Sequence, residues 1–420
     1  MEHVPEARKV RIMLAAGAAL EIVAIWFVHW IHTRGYVDTE VYRLGARAWL
    51  LGYDVYGSDL TPETPETGTL PFIYPPFAAI LFTPLVWLSE TGAIIAVAVL
   101  SHLAILLTAY AMARSSEYFA PQRARVVAAT ALLLPFFTLL EPARETINYG
   151  QINLILMGLV AADCLLPRIF WPRGLLVGLA AGMKLTPLGF LLFFLLRRDL
   201  RALLTGIATF AATVLVGVLA APEDAADWWL DEMWSTGNEF GAVYAGNLSL
   251  RSLIAKQEFT GWQLNALWAA GAVVLLVLAT WGMRYALRTA NTALALVINA
   301  VLVTLVSPIS WSHHWVWAAP TFALLYAMGQ RNGWLGVRQA VVICAVPFAI
   351  GPHWYLPYTQ NRELDWTFSQ QVVGNSYTLI GIGFLVTCAI AHFRFPPRGR
   401  PVDEPPQPPL AVAYHQRSST

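Results

Sequence analysis

The chain has 420 residues, of which 57% are hydrophobic and 13% charged, and its formal net charge is +1. Soluble domains carry roughly 25% charged residues, so this composition excludes a water-soluble protein and predicts a polytopic membrane protein. The apolar runs are continuous and do not alternate, which favours an all-α membrane bundle over a β-barrel. We expect no nucleic-acid partner. The three cysteines lie within apolar runs, so no disulfide framework is predicted.

The apolar runs predict about twelve transmembrane helices, since each crossing needs about 20 apolar residues. The run at residues 76–88 is shorter and contains Pro84, so we interpret it as an interfacial helix. The run at 174–196 is interrupted at Lys184 and is interpreted as two short spans. The predicted spans are residues 10–31, 93–113, 126–140, 152–166, the two halves of 174–196, 202–221, 264–287, 292–306, 314–328, 337–351 and 376–392.

The basic residues orient these spans. With both termini cytoplasmic, 19 of the 27 Lys and Arg residues fall in inner segments, as the positive-inside rule requires. Counting residues 76–88 as a span would invert every later loop. Residues 1–393 are predicted to form one transmembrane domain, with extracytoplasmic juxtamembrane helices. The Pro-rich residues 394–420 are predicted to be a disordered cytoplasmic tail.

The first outer loop, residues 32–92, concentrates acidic residues in a chain that has only 26 of them. Asp38 follows the first span closely. It is either a carboxylate acting on a lipid-borne substrate or, with Thr39, a cap of the amphipathic helix that follows. Arg43 and Arg47 either hold an anionic phosphate or only balance Glu40. Within this loop, residues 36–76 contain six acids: Asp38, Glu40, Asp54, Asp59, Glu63 and Glu66.

A second polar outer loop has the sequence EPARETINYGQINL, residues 141–154. Its uncharged amides suit the hydroxyl groups of a sugar, and they suit helix caps equally well. Lys184 breaks a membrane run, and an intramembrane charge is by default a candidate functional residue. It is either the counter-ion of a lipid phosphate or a lysine that snorkels to the interface. The candidate substrate-binding residues of the loop are Glu141, Arg144, Asn148, Gln151 and Asn153.

A third outer segment, SPISWSHH, places Trp311 beside His313 and His314. These side chains either bind a phosphate or sugar, by hydrogen bonds and stacking, or form an ordinary polar turn. Adjacent histidines on a helix point about 100° apart, which disfavours a shared metal ion. No metal or cofactor is predicted. Asn247 belongs to a short Asn-Leu-Ser pattern and is a further substrate-binding candidate.

The order of these motifs resembles the GT-C-type polyprenol-phosphate-sugar glycosyltransferases, and within them glycosyltransferase family 87. The resemblance covers most of residues 30–330. It rests on five features in chain order: Asp38 after the first span, Tyr74-Pro75-Pro76, GQINL, Lys184-Leu-Thr-Pro187 and the Ser-Pro-x-x-Trp-x-His-His turn.

The resemblance implies an inverting α-(1→2)-mannosyltransferase of the plasma membrane, with its active site on the extracytoplasmic face. The implied donor is polyprenyl-phosphate mannose, and the acceptor is a phosphatidylinositol mannoside or lipomannan of mycobacterial type. Asp38 then matches the catalytic aspartate, and His313 or His314 the histidine that faces the lipid phosphate. Tyr42 and Tyr74 join the substrate-binding candidates. Asp38-Thr-Glu40 is not an Asp-x-Asp pair, which argues against a metal-binding role.

Other functions stay open on the sequence. The same fold could use another polyprenyl-phosphate sugar, arabinose or glucose, since nothing in the residues fixes the sugar. A non-enzymatic lipid or sugar transporter is the alternative of a different class. A transporter would carry charged residues near mid-membrane in several spans. This chain places them at the outer edge, which favours the enzyme.

Overall fold

The computed structural model describes residues 6–31, 34–57, 63–64, 68–115, 123–234 and 241–395. Asp59, Glu66 and the predicted tail from residue 396 onward lie outside these ranges. The described part is helical apart from one short antiparallel pair, β1 (Glu63–Thr64) and β2 (Gly68–Thr69).

The helices alternate between long apolar ones and short ones, with 3₁₀ or π segments between some of them. In chain order they are α1 (Glu6–Trp30), α2 (Val37–Leu51), α3 (Pro76–Val86), α4 (Glu90–Ser115), α5 (Arg123–Leu139), α6 (Glu141–Tyr149), α7 (Asn153–Leu165), α8 (Leu175–Met183), a 3₁₀ segment (Thr186–Phe190), α9 (Leu191–Leu196), α10 (Leu200–Ala220), α11 (Pro222–Asp227), a π segment (Trp228–Glu232), α12 (Leu250–Ala255), α13 (Gly261–Arg288), α14 (Thr292–Val306), a 3₁₀ segment (Ser312–Trp317), α15 (Ala318–Arg331), α16 (Leu335–Ile350), two 3₁₀ turns (Pro352–Tyr355 and Arg362–Asp365), α17 (Phe368–Gly374) and α18 (Ser376–Arg394).

Five of the described helices, α1, α4, α10, α13 and α18, are long and apolar enough to cross a membrane. Helices α5 and α6 pass the same test only together, and the chain bends by 69° between them. Helices α7, α14 and α16 are apolar but have only 13, 15 and 16 residues. The prediction of a polytopic helical membrane protein is confirmed. The count of twelve spans is not confirmed.

The interrupted run at 174–196 differs from the prediction of two spans. Helix α8 has nine residues, so it rises only about 13 Å, less than half of a bilayer core. It runs parallel to α10, because Gly178 lies against Gly206 and Gly182 against Thr213. After Lys184 the chain returns through the 3₁₀ segment and α9. The two short helices therefore start and end at the same end of α10, since Gly174 lies against Ala202 and Arg197 donates to the carbonyl of Cys164.

A buried aspartate fixes the base of this re-entrant pair. The carboxylate of Asp163, at the end of α7, accepts the backbone N–H groups of Gly174 and Val177 at 3.0 Å each. It also accepts the indole N–H of Trp171 at 3.1 Å. Asp163 thus satisfies the free N–H groups that begin α8 from a neighbouring element, and it fixes the helix that carries Lys184 at its far end.

The outer end of the bundle is covered by the short helices. Helix α3 packs on α2 and has only 11 residues, as expected for an interfacial helix. Helices α2, α3, α7 and α8 share a hydrophobic cluster of their own. The larger core surrounds α14, of which twelve side chains are buried, because α13, α15 and α18 pack on it. The two cores meet along α7, below the polar residues predicted to form the site.

Candidate active site

Asp38 lies in the first turn of α2, and this turn is docked on the end of α6. The backbone N–H of Tyr36, which is in the left-handed conformation at φ 54°, donates to the carbonyl of Asn148 at 3.1 Å. The hydroxyl of Thr39 donates to the carbonyl of Gly150 at 3.0 Å. Neither Asp38 nor Thr39 occupies the N-cap position of α2, which is taken by Tyr36, whose side chain does not bond to the first turn of the helix. The start of α2 is therefore fixed by a neighbouring loop.

Gln151 connects Asp38 to the aromatic residues beneath it. Its side chain is hydrogen-bonded to the Asp38 carboxylate, and since a carboxylate only accepts, the amide N–H donates. The amide oxygen accepts the hydroxyl of Tyr42, while Nε2 also donates to the hydroxyl oxygen of Tyr74 at 3.0 Å. The Tyr42 hydroxyl in turn accepts the backbone N–H of Ile152 at 3.2 Å. Because these side chains are buried, the amide is held with its N–H towards Asp38.

Lys184 reaches the same site from the break after α8. Its ammonium donates to Oδ1 of Asn153 at 3.0 Å and to Nε2 of His314 at 3.2 Å. It also lies 5.7 Å from the centre of the Tyr74 ring. The Lys184 charge acts on the Asp38 carboxylate. The structure thus brings together a carboxylate, an ammonium group, an amide and an imidazole from four separate segments.

The two adjacent histidines have different surroundings. Because Nε2 of His314 accepts from Lys184, its proton lies on Nδ1, and the ring donates to the backbone of Ile309. His313 is buried and packs on Tyr149, with ring centres 4.9 Å apart. Among the described residues, Nε2 of His313 has no hydrogen-bond partner. His314 is therefore the histidine that belongs to the Lys184 site, and His313 lies behind it.

Accessibility separates the groups of the site into two kinds. Asp38, Lys184 and His314 are only partly buried. The side chains that hold them, Gln151 and Asn153 among them, are buried. A ligand arriving from outside would meet the carboxylate, the ammonium and the imidazole, while the supporting groups stay fixed. This arrangement is pre-organised for binding.

The surroundings of Asp38 bring its carboxyl into the physiological pH range. Burial raises the pKa of Asp38 to about 7, while the Lys184 charge and the Gln151 hydrogen bond oppose the rise. A carboxylate with a pKa near the working pH is suited to general-base catalysis.

A narrow cleft extends from this site towards the membrane interior. It begins at Asn153 and His314 and continues between α7, α14 and the 3₁₀ segment after Lys184. Its deeper walls are apolar, formed by side chains such as Val160, Phe190 and Trp317. Its rim is polar. Lys184 is hydrogen-bonded to both residues at the mouth of the cleft. An apolar cleft with a cation at its mouth suits a lipid with an anionic head group.

The predicted residues on the other faces of α2 are not brought to this site. Arg43 forms an ion pair with Glu40 at 2.5 Å and donates to the carbonyl of Leu85 at 3.4 Å. Arg47 is exposed and lies nine residues after Asp38, which is half a turn around the helix. The geometry therefore favours the alternative interpretation for Arg43, which balances Glu40 and is anchored on α3.

Three other predicted residues have structural contacts. Glu141 is buried and accepts the indole N–H of Trp354 and the hydroxyl of Tyr377, both at 2.8 Å. Arg144 donates to the carbonyl of Ala349 at 2.9 Å. Buried Asn148 donates to Glu145 at 3.3 Å. The bonds of Glu141 and Arg144 connect α6 to the segments around α16 and α18, whereas the bond between Asn148 and Glu145 lies within α6.

Asn247 and Trp311 belong to the outer layer as well. The Oδ1 atom of Asn247 accepts the backbone N–H of Ser249 at 3.2 Å and that of Ser310 at 3.1 Å. Its side chain is fully buried, which rules out contact with a substrate in this state. Trp311 is half-buried and packs on Tyr244, with ring centres 5.7 Å apart.

Sequence reasoning missed several residues around the site. Arg34 lies over the rings of Tyr149 and Trp354, at 5.5 and 4.7 Å, and forms an ion pair with Glu145 at 3.2 Å. Tyr149 was part of the polar loop, but no motif distinguished it from its neighbours. Trp354 lies some 200 residues further along the chain, and no local pattern connects it to Arg34.

Comparison with known proteins now adds to this geometry. The model of glycosyltransferase family 87 matches residues 72–308, more than half of the chain. The chain belongs to glycosyltransferase family 87. The family predicted from the order of the motifs is thus confirmed.

Proteins of known name are similar to this family 87 chain over most of its length. It is 36% identical, over 90% of both sequences, to the polyprenol-phosphate-mannose-dependent alpha-(1-2)-phosphatidylinositol mannoside mannosyltransferase of Mycobacterium tuberculosis. It is 35% identical to the protein of the same name from Mycolicibacterium smegmatis, over 84% of this chain and 83% of that one. A pentamannoside mannosyltransferase of M. tuberculosis with the same donor dependence is 32% identical over 84% of each chain.

Proposed function

We propose that this protein is an inverting mannosyltransferase that uses polyprenyl-phosphate mannose as its donor. Its acceptor is a hydroxyl of a phosphatidylinositol mannoside or of lipomannan, and the new bond is an α-(1→2) linkage. The relatives that carry this activity in their names match 84–90% of this chain. The observation that carries the proposal is the pairing of one carboxylate, Asp38, with the cation of Lys184 at the mouth of an apolar cleft.

The donor fits this arrangement in two parts. Lys184, His314 and Asn153 face its phosphate, since all three are linked by hydrogen bonds of 3.0–3.2 Å around one ammonium. The polyprenyl chain begins at the apolar cleft below them, whose cavity volume of about 50 Å³ takes only its first carbons. Lys184 carries the positive charge that stabilises the phosphate as it leaves. His314 is neutral, so it contributes no positive charge at the phosphate. Because its N–H already donates to Ile309, it can donate to the phosphate only after the ring rotates or the proton moves to Nε2.

Asp38 performs the proton transfer. The acceptor hydroxyl attacks the anomeric carbon of the mannose as the bond from that carbon to the phosphate oxygen breaks. The hydroxyl proton passes to the Asp38 carboxylate, and the electron pair leaves on the phosphate. Attack from the opposite face converts a β-linked donor into an α-linked product. Because phosphate is a good leaving group, no second carboxylic acid is needed, in contrast to a glycosidase.

The proposed orientation puts this chemistry outside the cell. Both termini are cytoplasmic, residues 1–393 act as one transferase domain, and the outer helices α2, α3 and α6 surround the active site. The distribution of basic residues supports this orientation. The re-entrant pair supports a recessed site, because Gly182 lies beside Thr213, seven residues before the end of α10. Gly182 therefore lies about 10 Å below that end, and Lys184 follows it by two residues.

The variant Asp38→Asn tests the proposal. It keeps the shape of the side chain and removes the base, so we expect mannose transfer from polyprenyl-phosphate mannose to fall by roughly 10²–10⁴-fold. Thermal stability in detergent should stay unchanged. Asp54→Asn is the matched control, because Asp54 lies in the same outer loop but is exposed, and its carboxylate accepts the backbone N–H of its neighbour Tyr56 at 2.8 Å.

Two results would contradict the proposal. Full transfer by the Asp38→Asn enzyme would remove Asp38 as the base. Transfer from a nucleotide-linked mannose, without any polyprenyl phosphate, would exclude the proposed donor. Linkage analysis of the product tests the α-(1→2) bond.

A further inference from the structure

A cluster of aromatic rings covers the outer layer beside the active site. Tyr244 packs edge-on against Trp311, Trp354 and Tyr358, with ring centres 5.7, 6.1 and 6.2 Å away. Trp354 and Tyr358 are themselves 5.9 Å apart. All four side chains are half-buried. They come from three chain segments far apart in sequence, and we call them the aromatic platform.

The platform differs from the aromatic belt expected at a membrane interface. Belt residues face lipid singly, as Trp262 does with 78% of its surface exposed. The platform rings instead pack on one another and are held from below by buried polar groups. Glu141 fixes Trp354 with a bond of 2.8 Å. Asn247 pairs with Trp311 through the backbone. The rings are thus held rigidly and still present part of their surface.

A cation and an acid complete the platform on its inner side. Arg34 stacks on Trp354 at 4.7 Å and forms an ion pair with Glu145 at 3.2 Å. Flat apolar rings next to hydrogen-bonding charged groups match the chemistry of a sugar, which has apolar C–H faces and a polar rim. They do not match a prenyl chain, which offers no hydrogen-bonding groups.

The platform is continuous with the active site. Arg34 lies 5.5 Å from the ring of Tyr149, and Tyr149 lies 4.9 Å from that of His313. His313 in turn lies 4.9 Å from His314, the partner of Lys184. Because His313 is buried, an oligosaccharide whose end reached Asp38 would extend to the platform over the half-buried Tyr149 and Arg34. The apolar cleft for the donor leads in the other direction, between α7 and α14.

We infer that the aromatic platform binds the mannosyl residues of the acceptor that lie behind the reacting one. The inference rests on the proposed function for the identity of the acceptor. It adds a saccharide subsite that selects acceptors already carrying several mannose residues. Stacking on Tyr358 and Tyr244 supplies affinity, while Arg34 and Glu145 bind hydroxyl groups at the rim.

The variant Tyr358→Ala tests this subsite. The ring of Tyr358 packs on Tyr244 and Trp354. Its bond to Arg362 uses the backbone carbonyl, so the fold should tolerate the change. We expect the KM for an acceptor with several mannose residues to rise about tenfold. The KM for the donor, kcat and the KM for a monomannosyl acceptor should stay unchanged. Tyr358→Phe should behave as wild type.

The matched control is Tyr355→Ala, since Tyr355 lies three residues away and is 77% exposed. It should leave all constants unchanged. An unaltered KM for the long acceptor in Tyr358→Ala, or an equal loss in Tyr355→Ala, would overturn the inference. A raised donor KM alone would assign the platform to the lipid donor and overturn it as well.

Direct binding separates this inference from the proposed function. A soluble oligomannoside is titrated against the detergent-solubilised full chain, with tryptophan fluorescence as the signal. Binding that Tyr358→Ala weakens about tenfold in a protein without transfer activity would keep the subsite and reject the function. If the enzyme transfers mannose but oligomannoside binding does not depend on Tyr358, the proposed function is kept and the subsite is rejected.

Discussion

The contact between Thr39 and Gly150 fixes the turn that carries Asp38, and it yields a quantitative prediction. Gly150 has φ +67°, and a Cβ atom there would lie 2.1 Å from the Thr39 hydroxyl oxygen. In Gly150→Ala, the left-handed backbone costs about 1–2 kcal/mol. Displacing the buried hydroxyl from its bond to the Gly150 carbonyl adds about 1–3 kcal/mol. We therefore expect a loss of about 2–5 kcal/mol in the free energy of unfolding, with transfer largely abolished.

A control at Gly52 isolates the second contribution. Gly52 ends α2 with φ +71°, and a Cβ atom there meets nothing within 4 Å. Gly52→Ala should therefore lose only the backbone part, about 1–2 kcal/mol, and keep its activity. Both variants are measured by unfolding in mixed micelles and by mannose transfer. Equal losses in the two variants would refute the close packing of Thr39 on Gly150.

A double mutant makes the test sharper. Thr39→Ala removes the hydroxyl, after which the nearest atom to the new Cβ lies at 3.1 Å. Gly150→Ala should therefore cost about 1–3 kcal/mol less in the Thr39→Ala background than alone, which is a coupling typical of residues in contact. Strict additivity of the two substitutions would show that the hydroxyl does not obstruct a side chain at position 150.

Three further predictions concern the charges of the protein. Lys184→Met should lower kcat by roughly 10²–10³-fold. Because the Lys184 charge lowers the pKa of Asp38, its loss should also move the acidic limb of the pH–rate profile to higher pH. Burial raises the pKa of Glu141 to about 7. The protonated carboxyl therefore stabilises the folded protein at pH values below the usual pKa of glutamate, and this stability is lost as the pH rises to 7. Glu141→Gln should therefore flatten the fall in melting temperature between pH 5 and pH 8, and an unchanged slope would contradict it. Asp163→Ala leaves three N–H donors without their acceptor and should lower the free energy of unfolding by about 3 kcal/mol. Asp199→Ala removes an ordinary helix cap and should lower it by about 1 kcal/mol. Equal melting temperatures of the two variants would show that Asp163 does not anchor α8.

The sequence by itself determined the class of the protein and much of its local structure. Apolar run length and composition suffice to predict a helical membrane protein, because lipid offers the backbone no hydrogen-bond partners. The shortness and the proline of residues 76–88 correctly predicted a helix too short to cross. The order of five short motifs was enough to predict family 87. Each of these properties is local or additive along the chain.

The tertiary structure decided which polar residues form the candidate site. Asp38, Gln151, Lys184 and His314 were all among the sequence candidates, but so were Arg47 and Asn247, which the fold places elsewhere. Lys184 contacts a histidine that lies 130 residues later in the chain. No local pattern distinguishes such a lysine from a lysine that snorkels to the interface. That distinction depends on α8 turning back at Lys184, and this in turn depends on Asp163 and the packing of α8 along α10.

The same limit applies to the outer layer. Arg34 and Trp354 are far apart in sequence and meet only because α6 and the segment after α16 pack together, with Glu141 buried between them. The chemistry of a side chain can be inferred from its type and its neighbours in sequence. Its partners are set by long-range packing, and in this protein that packing brings Asp38, Lys184 and His314 together and gathers the aromatic rings beside them.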